Sequence, residues 1–200
     1  VDQRRHQPRL HRVDPADGVF TWVGHVPGVP LSTVTLATVD HIMAGSIVMP
    51  DAVYAIKYVG PGLHEVRKVD QSKFPSELDP VEPRALASGS PRAEASAEPT
   101  VGGDDGSRLD VLVLYTPAAA TAAGGTSAMT TLLNLGISET NTSYANSGIT
   151  QRLRMVNNQQ VTYTENNDLG QDLYNLSNYD GTTLSTPLGN TAATLRNTYA

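Results

Sequence analysis

Five histidines, twenty carboxylates and no cysteine set the chemistry open to this 200-residue chain. Without cysteine there is no disulfide framework, no thiolate zinc ligand and no cysteine nucleophile. His6 and His11 lie in an Arg-rich stretch and could offer two imidazoles. A metal site needs three or four convergent ligands, so this pair reads as solvated surface. His25, His41 and His64 fall at strand ends or turns and read as turn or edge residues rather than ligands. Carboxylates gather at Asp104-Asp105 and at Glu165, Asp168 and Asp172, the hard oxygen ligands that calcium would need. Neither group follows the D-x-[DN]-x-[DN]-G loop, so calcium (Ca2+) is conceivable from composition and unsupported by spacing. Tyr115, Tyr144 and Tyr163 read as packing residues rather than catalytic acids. Asn141-Thr-Ser143 and Asn175-Leu-Ser177 fit the N-x-[ST] acceptor, a triplet that arises readily by chance in Asn/Ser/Thr-rich sequence. Gly124-Gly125-Thr126-Ser127 lacks the strand–GxxxxGK–helix context of a phosphate loop. It reads as the opening of a helix with Thr126 or Ser127 as cap. No residue of the chain is thereby assigned a catalytic, cofactor-binding or metal-binding role.

Composition narrows the classes further. Hydrophobic residues make up 39% and charged residues 17%, both low for a globular chain, and the formal charge is −6. An acidic chain without a basic stripe is not expected to bind nucleic acid electrostatically. No apolar run approaches the roughly 20 residues of a membrane-spanning helix, so no membrane span is expected. The chain opens Val1-Asp2-Gln3-Arg4-Arg5 without an apolar h-region, so any targeting peptide is expected to have been removed or to lie upstream.

The elements that would have to position these side chains fall into two units. Residues 70–107 carry eight acidic and three basic residues, five prolines and a Gly-Gly-Asp-Asp-Gly run. Such a stretch buries too little apolar surface to offset its ordering entropy, so 79–107 is predicted to be an exposed linker. Before it, Val19–Gly24, Ser32–Thr38, Ile42–Val48 and Ala52–Val59 are short β-branched or aromatic runs. Pro27-Gly28, Asp40-His41, Pro50-Asp51 and Gly60-Pro61-Gly62 punctuate them, which predicts an antiparallel meander ending near Val69. Residues 1–78 thus form a β-rich unit, with 1–16 a basic, solvated arm. After the linker, 108–200 changes character. Asp110–Tyr115 is a continuous apolar run, the pattern of a strand buried on both faces. Ser127 to about Ala145 has helical rhythm, with Met129, Leu132, Leu133, Ile137 and Tyr144 near one side, and Gly148 suits a left-handed stop. Leu153–Val156 and Val161–Tyr163 return as strand, giving a βαβ unit, and a further helix begins near Asn190. The fold class is therefore α+β. Two strands and one and a half helices do not close a core, so more chain is expected after Ala200.

The run Asp110-Val-Leu-Val-Leu-Tyr-Thr-Pro-Ala-Ala119 resembles the first catalytic-domain strand of bacterial reprolysin-like zinc metallopeptidases, within the metzincin group. Glu139–Ile149 leading into Arg152–Val156, then Val161–Glu165, Asp172-Leu173 and Thr194–Tyr199, continue the same order over about ninety residues. The first unit is similar to the β-rich propeptides of such zymogens, at Gly45–Tyr54 and His64–Asp70. The resemblance implies a secreted zymogen whose catalytic zinc (Zn2+) is held by an HExxHxxGxxH helix, with a Glu as general base on zinc-bound water. It implies a protein or peptide substrate and a contact between propeptide and catalytic domain. No His follows His64, so the zinc motif is expected beyond residue 200 and these residues alone are expected to be inactive. Latency could not use a cysteine. Asp40, His41, His64 and Asp70 at turns, and Asp79 and Glu82 in the linker, are the candidate blockers of the metal, and steric cover of the cleft is the favoured device.

A second class of function is a non-catalytic secreted binding or adhesion protein that shares the scaffold. The reading frame past Ala200 discriminates: an HExxHxxGxxH helix there makes the chain a peptidase precursor.

Overall fold

The computed structural model describes residues 12–16, 19–74, 106–177 and 186–199, and for 12–16 the backbone alone. The fold is α+β. The 79–107 linker lies outside the described residues except for Gly106 and Ser107, and so do His6, His11, Asp79, Glu82, Asp104 and Asp105.

Six antiparallel strands form the first sheet in chain order: β1 (Arg12–Ala16), β2 (Val19–Gly24), β3 (Thr33–Val39), β4 (Ile42–Met49), β5 (Ala52–Gly60) and β6 (Leu63–Lys68). The turn dipeptides place the reversals. Val39 pairs with Ile42 across Asp40-His41, where both residues have positive φ, 50° and 65°. That is the conformation of a type I′ turn, whose twist matches the flanking strands. Met49 pairs with Ala52 across Pro50-Asp51, and Gly60 with Leu63 across Pro61-Gly62, with Gly62 at φ 70°. The β2–β3 connection is longer and is knotted by Ser32, 2% exposed, whose Oγ accepts from Val26 N at 2.9 Å and donates to Val29 O at 2.8 Å.

Part of the basic arm is a correction. Arg12–Ala16 is an edge strand paired with β2 rather than a solvated tail. Its Pro15 and its charges hide the alternation, and proline is tolerated there because an edge strand leaves one side of its backbone unpaired.

The second unit holds a parallel pair, β7 (Arg108–Tyr115) and β8 (Arg152–Gln160), linked by α1 (Pro117–Ala123) and α2 (Thr126–Asn146). Beyond β8 lie α3 (Leu169–Ser177) and α4 (Pro187–Tyr199). Thr116 caps α1, accepting from Ala119 N at 3.0 Å, with Pro117 in the first turn where its missing N–H costs nothing. Gly124 and Gly125, at φ 102° and 112°, break α1 from α2. The N-cap of α2 is therefore Gly125 with no side-chain cap, and Thr126 and Ser127 sit inside the helix instead of capping it. Gly148, at φ 71°, follows the end of α2 in the left-handed conformation its position called for. Tyr115 is buried, but Val111–Leu114 are only half-buried, so β7 is not covered on both faces over its length among the described residues.

Helix α2 packs on the six-stranded sheet and on β8. Its most buried residues are Ala128, Thr131 and Leu135, at 2%, 0% and 8% exposure. The spacing of three and four puts them on one stripe. That stripe meets Ala37 (0%) and Ala44 (2%), register partners on β3 and β4, with Leu132 packed against the same cluster. A second stripe faces β8: Thr130 Oγ1 donates to Asn158 Oδ1 at 3.3 Å, while Asn141 accepts from Leu153 N and donates to Leu153 O, at 2.7 and 2.9 Å. The single apolar side expected from Met129, Leu132, Leu133, Ile137 and Tyr144 is thus divided between two stripes: Leu132 packs with the deeper, sheet-facing cluster, and Met129, Leu133, Ile137 and Tyr144 share the helical side of Asn141, which faces β8.

Candidate functional site

The sequence's candidate ligands do not converge. Among the described residues, no three side chains of His, Asp or Glu are placed to hold one metal ion. His25 donates from Nδ1 to Ser32 O at 2.7 Å, and His64 Nε2 accepts from Met43 N at 2.9 Å while its ring meets Tyr58 edge-on. His41 is exposed in its turn. Asp70 accepts from the backbone N and the Oγ of Ser72, at 3.1 and 2.7 Å, and starts a short 3-10 turn.

The three carboxylates at 165, 168 and 172 each serve a separate local task. Glu165 accepts from Thr116 Oγ1, tying the chain after β8 to the end of β7. Asp168 Oδ1 accepts from Gly170 N and Gln171 N at 2.9 and 3.1 Å and caps α3. Asp172 is the centre of a network. It accepts from Tyr163 Oη at 2.5 Å, from Asn166 N at 3.1 Å and from Asn166 Nδ2 at 2.9 Å, and Asn175 Nδ2 donates to the same Tyr163 oxygen at 2.9 Å. The tyrosine hydroxyl lowers the Asp172 pKa below 3.8, while the carboxylate raises that of Tyr163 above 10.0. Three donors thus converge on Asp172 Oδ1, which is committed to this local network. Tyr163 is a network residue, and Asn141 and Asn175 are held by the hydrogen bonds described above. On the β7–β8 pair, Arg154 forks onto Asp110 at 2.8 and 2.5 Å and lowers its pKa.

What the fold does bring together is the junction of sheet and α2, and that is the candidate functional site. Three polar contacts from three parts of the sheet fix it. Ser46 Oγ on β4 donates to Glu139 Oε1 on α2. Ser127 Oγ, in the first turn of α2, donates to Asp40 Oδ2 in the β3–β4 turn at 2.7 Å. Lys57 Nζ on β5 donates to Ala122 O near the end of α1 at 3.0 Å. Tyr58 closes on Gly124, where an added Cβ would stand 3.0 Å from its ring. Near the C-terminal half of α2 the junction opens into a cleft of about 440 Å³, lined by Thr33, Thr35 and Ser46 on one side and Glu139, Thr142 and Asn146 on the other. A second cleft, about 330 Å³ and largely apolar, lies between Leu112 and Leu114 of β7 and Ala192, Ala193 and Arg196 of α4, with Leu176 of α3 at its rim.

No protein-family model matches the chain, and no curated protein or solved structure is significantly similar to it.

The junction holds elements in register and carries two carboxylates, Asp40 and Glu139, each accepting from a serine hydroxyl. Two of the proposed metal blockers, Asp40 and His64, are engaged in bonds that shape the junction and the sheet. Nothing in the sequence pointed to Ser46 and Glu139 as partners, since 93 residues separate them. Among the described residues, no helix is long and apolar enough to cross a membrane.

Proposed function

We propose that the chain is part of a secreted zinc metalloendopeptidase precursor: residues 1–78 a propeptide, and residues 108–200 the opening of the catalytic domain. One observation carries the reading. Among the described residues, a six-stranded antiparallel sheet with its strands in chain order lies against the crossover helix of a parallel strand–helix–strand unit whose sequence order resembles the metzincin opening. A propeptide and its enzyme would be joined in this way, by a contact between two separately built bodies.

The residues here do not fit a zinc site. Residues 108–200 contain neither His nor Cys, and no three carboxylate or imidazole groups converge among the described residues. The reading therefore requires zinc ligands and a general base supplied from outside these 200 residues, and no catalytic step is assigned to any side chain of this chain. Its own residues would contribute the β7–β8 scaffold and the docked sheet.

The test compares this chain with a product extended along its reading frame. The extended product is expected to contain an HExxHxxGxxH helix, to hold zinc stoichiometrically and to show chelator-sensitive cleavage of a peptide library. The 200-residue chain is expected to do neither. A frame without that helix, or an extended product free of zinc, rejects the peptidase reading and favours a non-catalytic binding protein.

A further inference from the structure

We propose that residues 12–74 and 106–199 are a non-covalent pair: the six-stranded sheet docks on α2 through a surface that holds after the connecting chain is cut. The inference stands apart from the zinc chemistry, since it concerns association alone.

Burial supplies the first argument. Leu135 sits against Ala37 and Ala44, with 8%, 0% and 2% of these residues exposed. Separation would open all three to water, together with Leu132, which packs on the same cluster. The side chains on the β3 and β4 surface are small at the point where the helix presses closest, which is what close approach of a helix to a sheet requires.

Directional contacts supply the second. The Ser46–Glu139 and Asp40–Ser127 bonds join β4 and the β3–β4 turn to α2, and the Lys57–Ala122 bond joins β5 to α1, so the sheet is held at three places on the helical layer. Two have a carboxylate acceptor and the third an ammonium donor, and such bonds are the stronger kind. Every one of these residues lies outside 75–105, so a cut within that stretch breaks none of the contacts.

The consequence is a two-step release. If the sheet is a propeptide, cleaving the linker leaves it on α2, and freeing the second unit takes a further event, such as proteolysis within the sheet.

The experiment places a site-specific protease sequence within 79–105 of the full chain, cuts it, and follows the two pieces by size-exclusion chromatography with gel analysis. The wild-type pieces are expected to co-elute at the volume of the uncut chain at low micromolar concentration. Hydrogen exchange of the cut material is expected to keep the β3, β4 and α2 amides as protected as before cutting. Glu139→Arg is expected to weaken the association at least tenfold, and adding Ser46→Asp, which gives the new guanidinium a carboxylate, is expected to restore most of it. Circular dichroism of the uncut variants checks that both fold. Wild-type pieces that separate or precipitate after cutting, or that lose protection in α2, overturn the proposal. So does a pair whose affinity Glu139→Arg leaves unchanged.

Discussion

At the scale of single residues, Tyr163 and Asp172 shift each other's pKa in opposite directions and so make opposite demands on pH. The Asp172 pKa is lowered, chiefly by the tyrosine hydroxyl, so its contribution to stability is complete above the ordinary value of 3.8 and disappears as pH falls through the folded value. Asp110, lowered mainly by its hydrogen bond to Arg154, acts in the same direction. Tyr163 is raised, chiefly by Asp172, so its contribution is complete below 10.0 and is lost as pH rises through its higher folded value. Asp172→Asn removes the largest cause of that rise. In a ring-carbon NMR titration, Tyr163 is expected to ionise above the ordinary range in the wild type and to move toward it in Asp172→Asn. A tyrosine resonance that does not move would show that the hydroxyl answers to Asn166 and Asn175 rather than to the carboxylate. Neither asparagine nor the pairing was legible beforehand. In the sequence Asp172 was one of three carboxylates without calcium-loop spacing, and only the fold shows its Oδ1 engaged by Tyr163 and Asn166.

At the scale of elements, turn chemistry and tight strand crossings make separate predictions. His41 occupies the second place of a type I′ turn at φ 65°, a conformation that costs a side-chain-bearing residue about 1 kcal/mol and glycine almost nothing. His41→Gly is therefore expected to stabilise the chain by about 0.5–1 kcal/mol in urea unfolding; a loss of stability would mean that the imidazole contributes something glycine cannot replace. Gly45 makes the opposite case. A Cβ there would lie 2.5 Å from Leu36 Cδ2 and 2.8 Å from Thr35 O, and a carbonyl of the neighbouring strand has little room to yield. Gly45→Ala is expected to cost about 1–3 kcal/mol, read from the same urea midpoint. These positions also explain what was readable from sequence. Strands β2 to β5 were legible because β-branched alternation and turn dipeptides agree, one reporting the faces and the other the reversals, and β6 followed only from the meander's expected end near Val69. Three elements were not. The strand Arg12–Ala16 carries a proline and mixed charge, α1 is a seven-residue run of Ala and Thr without polar contrast, and α3 has a Gly-Gln-Asp opening that composition assigns to a loop. The α2 helix was legible in extent, and of its two packed stripes only one was legible. Its most buried stripe contains Ala and Thr, residues that a search for large apolar side chains passes over.

At the scale of the whole molecule, α2 couples two sheets that the sequence presents as parts of separate units. Linker composition gives a boundary, but a boundary in the chain says nothing about contacts made across it, and residues as distant as Ser46 and Glu139 meet only once both units are folded. A helix committed on one stripe to β3 and β4 and on another to β8 transmits the loss of either support to the other. Leu135→Ala tests this, because Leu135 is 8% exposed and packs on Ala37 and Ala44 of the first sheet, from a helix whose other stripe holds β8. Its neighbours Ala37 and Ala44 are too short to fill the void, so a cost of about 2–3 kcal/mol is expected, at the lower end of buried leucine truncations. The location of the loss is more informative than its size. If α2 is the shared support, native-state hydrogen exchange of Leu135→Ala will show protection falling together in β3, β4, α2 and β8, and urea unfolding will remain one transition by fluorescence and circular dichroism. Trp22 on β2 reports the first sheet by fluorescence, and circular dichroism reports the helices of the second unit. Two separated transitions, or a fall confined to the first sheet, would mean that β7, β8 and α2 fold without the sheet and that the docking is an attachment rather than a support.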